Sequence, residues 1–234
     1  MKTLFRYLFV SIVSFFFIIV CNATTNEDEK KPVINGHEYV DMGFPSGTLW
    51  ATCNVGATKP EEYGDYYAWG EVTPKDVYDW STYKWCSGSD TTMTKYCLMS
   101  DFGKVDNKQQ LEPQDDVAHV LWGGGWRIPT HSEMLELDGC SWKWTILNGV
   151  KGFEVKSPYN GNTIFLPAAG YRSNSNLLNA GTFCNLIWTS TVEHDSWFAC
   201  ISPFITRTRH GIYHCERYEG HQIRPVVSRK KTKK

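Results

Sequence analysis

The octapeptide Trp126-Arg127-Ile128-Pro129-Thr130-His131-Ser132-Glu133 holds an extended segment and a helix start in eight residues. Thr130 and Glu133 make a T-x-x-E capping box, in which each side chain satisfies a backbone N–H at the helix start. Pro129 keeps the preceding strand from running smoothly into that helix. Met134, Leu135 and Leu137 then supply an apolar face. The spacing therefore predicts a strand feeding a short helix over residues 131–138. Trp126, Pro129, Thr130 and Glu133 are expected to be structural residues.

Beyond that helix, Asn148-Gly149 separates Ser141–Leu147 from Lys151–Lys156, and Asn160-Gly161 separates the latter from Thr163–Leu166. Asn-Gly supplies the positive φ values of a tight hairpin turn, so residues 141–166 read as a β-meander. Strands are also expected at Thr48–Val55, Asp65–Trp69, Ile187–Thr191, Trp197–Ile201, Gly211–Cys215 and Gln222–Val227. Residues 74–115, rich in Asp, Ser, Lys and Tyr, read as long surface loops. Residues 116–122 read as a short helix capped by Asp115. Gly123-Gly124-Gly125 reads as a tight turn. Short strands with one or two short helices place the chain in the α+β class, leaning to β.

The chain's ends have a different composition. Lys2 and Arg6 precede the uncharged run Leu8–Val20, which is short of the roughly 20 apolar residues of a membrane span and suits a signal peptide over residues 1–21. Two processing routes fit: cleavage after Ala23, or lipidation of Cys21 behind Ile18-Ile19-Val20, which resembles a relaxed bacterial lipobox. Residues 22–36 read as a polar tether, 37–228 as the domain, and 229–234 as a basic disordered tail. Of 24 Lys and Arg, two lie in the leader and five in the tail, leaving 17 against 25 Asp and Glu. An acidic body argues against nucleic acid, whose phosphates select a basic surface. An exported setting permits disulfides, and Cys86 and Cys97, bracketing a polar loop, are the expected pair.

Six ordered blocks resemble the Fibrobacter succinogenes major paralogous domain family. They are Gly47-Thr48-Leu49-Trp50-Ala51-Thr52-Cys53-Asn54-Val55-Gly56-Ala57, Gly64-Asp65-Tyr66-Tyr67-Ala68-Trp69-Gly70-Glu71, and Gly124-Gly125-Trp126-Arg127-Ile128-Pro129-Thr130 with Glu133. Leu166-Pro167-Ala168-Ala169-Gly170-Tyr171-Arg172, Ile187-Trp188-Thr189-Ser190-Thr191 and Ile223-Arg224-Pro225-Val226 follow in the same order. The resemblance spans residues 37–227. It implies a C-type lectin-like fold of small twisted antiparallel sheets and long loops, with the first and last strands meeting. It also implies an exported, often lipidated bacterial protein of the outer-membrane surface or extracellular space. The acidic stretch Asn26-Glu27-Asp28-Glu29 resembles the surface-export signals that follow a lipidated cysteine in Bacteroidetes.

The candidate chemistry is limited. Relatives that generate formylglycine need a reactive cysteine pair, and Cys200 and Cys215 lie in the matching region without the surrounding sequence. His210, His214, Cys215 and His221 suggest zinc, but in a strand His210 and His214 stand roughly 13 Å apart, too far for one ion. Asp101, Asp106, Glu112, Asp115 and Asp116 suggest a calcium loop, with Glu112-Pro113-Gln114 a faint likeness to the lectin Glu-Pro-Asn motif. No metal or other cofactor is expected on these grounds, calcium being the weak exception. Aromatic and adaptable polar side chains suit ligand surfaces, and residues 171–221 mix them: Asn174, Asn176, His194, Arg207, Arg209, Tyr213, Arg217 and Tyr218. The expected function is a non-catalytic binding module for a glycan or protein, touching the membrane only through a lipid anchor. The alternatives are an enzyme related to sulfatase-modifying factors and a structural surface component.

Overall fold

The computed structural model describes residues 31–182, 187–192, 198–205 and 210–229, and of 198–205 and 210–214 it describes the backbone only. The expected leader, Cys21 and residues 230–234 lie outside these. Three strands open the chain: β1 (Val33–Ile34), β2 (His37–Asp41) and β3 (Thr48–Ala51). Two short helices follow, α1 (Val117–Trp122) and α2 (His131–Asp138). Next comes a meander, β4 (Ser141–Leu147), β5 (Val150–Lys156) and β6 (Thr163–Pro167). Two hairpins, β7 (Tyr171–Ser173) with β8 (Asn176–Leu178) and β9 (Phe198–Ile205) with β10 (His210–Glu216), precede β11 (Val226–Ser228). All named strand pairs are antiparallel, giving an α+β architecture that is mainly β. The last strand returns to the first sheet, whose order is β1-β2-β3-β11. Among the described residues no helix is long and apolar enough to cross a membrane.

The capping box forms as its residue types require. Thr130 Oγ1 accepts the Glu133 N–H at 3.3 Å, and Glu133 Oε2 accepts the Thr130 N–H at 2.9 Å. Glu133 does more than cap. Arg127 donates to both its carboxylate oxygens, at 2.7 and 2.6 Å, and Thr48 Oγ1 donates at 2.7 Å. These bonds fasten the helix start to β3. Burial alone would raise the Glu133 carboxyl, but the bonds from Arg127, Thr130 and Thr48 hold it down at about 2. Residues 126–130 form no regular strand; Arg127 pairs once with Val226 of β11. Met134 and Leu137 are buried, whereas Leu135 is 47% exposed, against expectation. In so short a helix one face packs, and position 135 is turned about 100° from 134.

Other expectations also need correction. The cap of α1 is Asp116, whose Oδ1 accepts the His119 N–H at 3.0 Å, because Asp115 is taken by Lys95 and Tyr96. Asn148 and Gly149 take φ of 47° and 85°, the two-residue hairpin turn expected. At Asn160-Gly161 only Gly161 takes positive φ, and a longer loop forms, because the Asn160 amide donates to Asp41 O at 2.8 Å instead. Asn35 and Gly36, read as tether, take φ of 48° and 84° and close the β1–β2 hairpin. Arg229, read as disordered tail, donates its N–H to Gly47 O at 3.1 Å and pairs with Asp41. Asp65–Trp69 and Ile187–Thr191 form isolated bridges rather than strands. Cys86 and Cys97 are free thiols. Their sulfurs face different carbonyls, Cys86 Sγ donating to Trp80 O and Cys97 Sγ to Met99 O, both at 3.1 Å.

Residues 74–115 are irregular, as expected, but they are not only surface. Tyr78, Tyr83, Met93 and Cys97 bury among themselves with Tyr66 and Ala68 as a separate cluster. Irregular backbone cannot satisfy itself by ladders, so side chains must supply the partners. Tryptophans do much of this: Trp69 Nε1 donates to Thr189 O at 2.8 Å, Trp85 to Gly70 O at 2.8 Å, Trp126 to Ile34 O at 2.9 Å and Trp188 to Tyr67 O at 2.6 Å. Trp69, Trp126 and Trp188 share the main apolar core with Tyr67, Tyr96 and Ile223. A second core packs Met134 and Leu137 of α2 against Trp50, Phe153, Leu166 and Val226. Trp197, expected to be partly buried, lies outside the described residues.

Candidate functional site

Three distant segments meet at one face. The β7–β8 hairpin turns at Asn174, which takes φ of 52°, and both Asn174 and Asn176 are exposed. The backbone of Asn174 pairs with Tyr78 in both directions, at 2.7 and 2.9 Å. Arg172 likewise exchanges two bonds with Gly220, at 2.8 and 2.9 Å, which brings in the turn after β10. A side chain at Gly220 would collide with the Tyr78 ring, its Cβ falling 2.6 Å from a ring carbon.

Tyr218, on that turn, and Trp80, beyond Tyr78, are both half-buried and stand edge to face at 5.0 Å. Burial and a bond to the Glu216 carboxylate push the Tyr218 hydroxyl well above the ordinary tyrosine range, so it stays protonated. Trp80 sits in a fixed turn. Asp79 Oδ1 accepts the Ser81 hydroxyl at 2.7 Å and the Thr82 N–H at 2.9 Å, and Thr82 Oγ1 donates to Val77 O at 2.8 Å. Leu177 and Leu178, consecutive on β8, are exposed apolar side chains on its two opposite faces. The result is a pre-ordered aromatic pair on segments that the backbone ties to the exposed tip of the β7–β8 hairpin.

Of the residues expected to bind ligand, Asn174, Asn176 and Tyr218 are thus brought together. Arg217 is not among them: it is fully buried, donates from Nη1 to Tyr96 O at 2.9 Å and lies over the Trp69 ring. Its role is in the core, and the expectation is corrected. His194, Arg207 and Arg209 lie outside the described residues, as does the Tyr213 side chain. Sequence reading missed Trp80, whose only signal was an aromatic residue between turn formers in a polar stretch.

Four of the five acidic residues read as a calcium loop are committed to other partners, and the fifth, Asp101, is exposed. Glu112 pairs with Lys108 at 2.5 Å and with Lys95, and these bonds hold its carboxyl at about 2. Asp115 takes Lys95 at 2.5 Å and the Tyr96 hydroxyl at 2.6 Å. Asp106 accepts the N–H groups of Tyr96 and Cys97 at 2.9 and 3.0 Å, and Asp116 caps α1. Carboxylates committed to lysines and N–H groups are not a cation cage.

A different group of metal-ligating types does converge. A bulge interrupts the β9–β10 register between His214 and Glu216, and Cys215 sits in it. The chain then turns through Arg217–Gly220 and brings back Glu219 and His221, so that one ligand atom from each of Cys215, Glu219 and His221 lies within 4.8 Å of the others. His221 Nε2 stands 3.2 Å from Glu219 Oε2. Tyr171 stacks on the imidazole at 5.5 Å and Trp188 meets it edge-on at 4.2 Å. Glu219 was missed in the sequence because only the turn brings it to the cysteine.

Two surface grooves lie elsewhere. One, of about 370 Å³, is lined by Val40, Thr145, Ile146, Glu154, Ile164 and Phe165 among others. The other, of about 660 Å³, runs past Val33, Ile34, Tyr39, Leu49, Gly124 and Val227. Neither lining holds a cysteine or histidine. No protein-family model, curated protein or solved structure matches this chain.

Proposed function

We propose that this chain is an exported bacterial surface-binding module that takes a glycan on the Trp80–Tyr218 face. The observation that carries the reading is that aromatic pair, held at 5.0 Å by its own backbone turns beside the exposed Asn174 and Asn176. Half-exposed rings offer flat apolar area at low entropic cost, and amides on a fixed hairpin tip offer directional donors and acceptors. A sugar, with C–H faces and hydroxyl edges, matches both.

The resemblance to the Fibrobacter succinogenes major paralogous domain family supports the same reading, and with it a C-type lectin-like fold. The leader over residues 1–21 supports export, with Cys21 as lipid anchor or cleavage after Ala23 as release. Against the enzymatic alternative stands the burial of Cys215, which is 2% exposed. A nucleophile or redox thiol must meet its substrate. A glycan-array screen of the mature chain, with and without calcium, tests the proposal. Binding to a defined glycan class, unchanged by calcium removal, is the expected result. A blank array, or binding only to a protein partner, would overturn the glycan assignment.

A further inference from the structure

We infer that Cys215, Glu219 and His221 form a binding site for a divalent zinc-type ion. The three ligand atoms lie within 4.8 Å of one another. A tetrahedral zinc ion with ligand distances near 2.0–2.3 Å sets its ligands roughly 3.3–3.6 Å apart. The 3.2 Å between His221 Nε2 and Glu219 Oε2 is already close to such an edge.

Two further facts point to a cation. His221 is fully buried, with Nε2 turned to the Glu219 carboxylate. A buried imidazole whose Nε2 faces a carboxylate presents the lone pair and the counter-charge that a divalent ion needs. Charge agrees as well. A thiolate from Cys215 and the Glu219 carboxylate together neutralise a divalent ion, so the loaded centre can be buried without net charge. Soft sulfur with imidazole and a carboxylate selects zinc-type ions over calcium or magnesium.

The same three residues also invite a thiol-nucleophile reading, with His221 as base and Glu219 as its orienting acid. Burial decides between them: no substrate reaches a thiol 2% exposed, whereas an ion is small enough to be enclosed. Three protein ligands leave one position for water or a further ligand. Because Tyr218 and Gly220 lie inside the ligand-bearing turn, the ion would also fix the segment that presents Tyr218. The inference does not depend on the glycan reading.

The test uses the full mature chain. After equilibration with zinc and dialysis, metal analysis should find one ion per chain. Loading with Co²⁺ should give a sulfur-to-cobalt charge-transfer band that Cys215→Ser abolishes. Glu219→Gln, at a partly exposed site that tolerates an amide, should fold and bind zinc at least roughly tenfold more weakly. Failure to retain zinc would overturn the site. So would zinc retained with unchanged affinity in folded Glu219→Gln, and so would a charge-transfer band that survives Cys215→Ser.

Discussion

Replacing Arg224 by Met should cost the domain roughly 3–5 kcal/mol, the largest stability loss expected of any single substitution described here. Arg224 is fully buried, and every bond shown for it goes to a neutral acceptor. Nε donates to Asn54 Oδ1 at 2.8 Å, Nη1 to Ala51 O at 3.1 Å and Thr52 O at 2.9 Å, and Nη2 to Phe165 O at 3.0 Å. One planar fork thereby joins the end of β3 to β6 of the meander, two sheets that share no ladder among the described residues. Burial lowers the guanidinium to about 10, which leaves it charged at neutral pH. Methionine fills the volume but strands four acceptors, at about 1 kcal/mol each, the low end of the penalty for an unsatisfied group. Against a typical total of roughly 5–15 kcal/mol, that is a large share. Urea denaturation should show the midpoint falling steeply, and Arg224→Lys should recover only part, since an ammonium lacks the fork. A midpoint unchanged in Arg224→Met would mean that the two sheets are held by other contacts.

The second large effect is at Glu133. Glu133→Gln keeps the shape of the capping box but removes the charge that Arg127 grips with two bonds, and should cost roughly 2–3 kcal/mol. The pH dependence follows from its direction. The folded carboxyl titrates at about 2, below its usual value of 4.5. Its contribution is therefore complete above about pH 4.5 and is lost as pH falls toward 2, up to about 3 kcal/mol in all. Thermal unfolding measured from pH 6 to pH 2.5 should show the parent chain losing more stability than Glu133→Gln across that window. Parallel acid curves would show that this carboxylate does not carry the effect.

Local features of this fold were readable where a few neighbouring residues settle the backbone. The Thr130–Glu133 box and the Asn148-Gly149 turn are such cases, and α2 spans residues 131–138 as its cap and apolar spacing imply. The same rule applied to Asn35-Gly36 would have found the β1–β2 hairpin, but the surrounding polar residues suggested a tether. Asp115 and Asp116 compete for one cap, and a lysine twenty positions away decides between them. Partners that are distant in sequence leave no local trace. Trp80 meets Tyr218 across 138 positions, and Glu219 reaches Cys215 only because the strand bulges and turns back. Arg217 shows the opposite failure: an arginine among aromatic and polar neighbours suggested a surface, yet it lies over Trp69 in the core.

The binding face is tested most directly by measuring the affinity of Trp80→Ala for the glycan identified on the array. Trp80 is half-buried with its backbone held by Asp79 and Thr82, so the truncated protein should keep its fold by circular dichroism. Removing a central aromatic anchor typically costs about 2 kcal/mol, so calorimetric titration should show affinity falling roughly thirtyfold. A folded Trp80→Ala protein that binds the glycan as tightly as the parent chain would contradict the proposal that this face is the binding site.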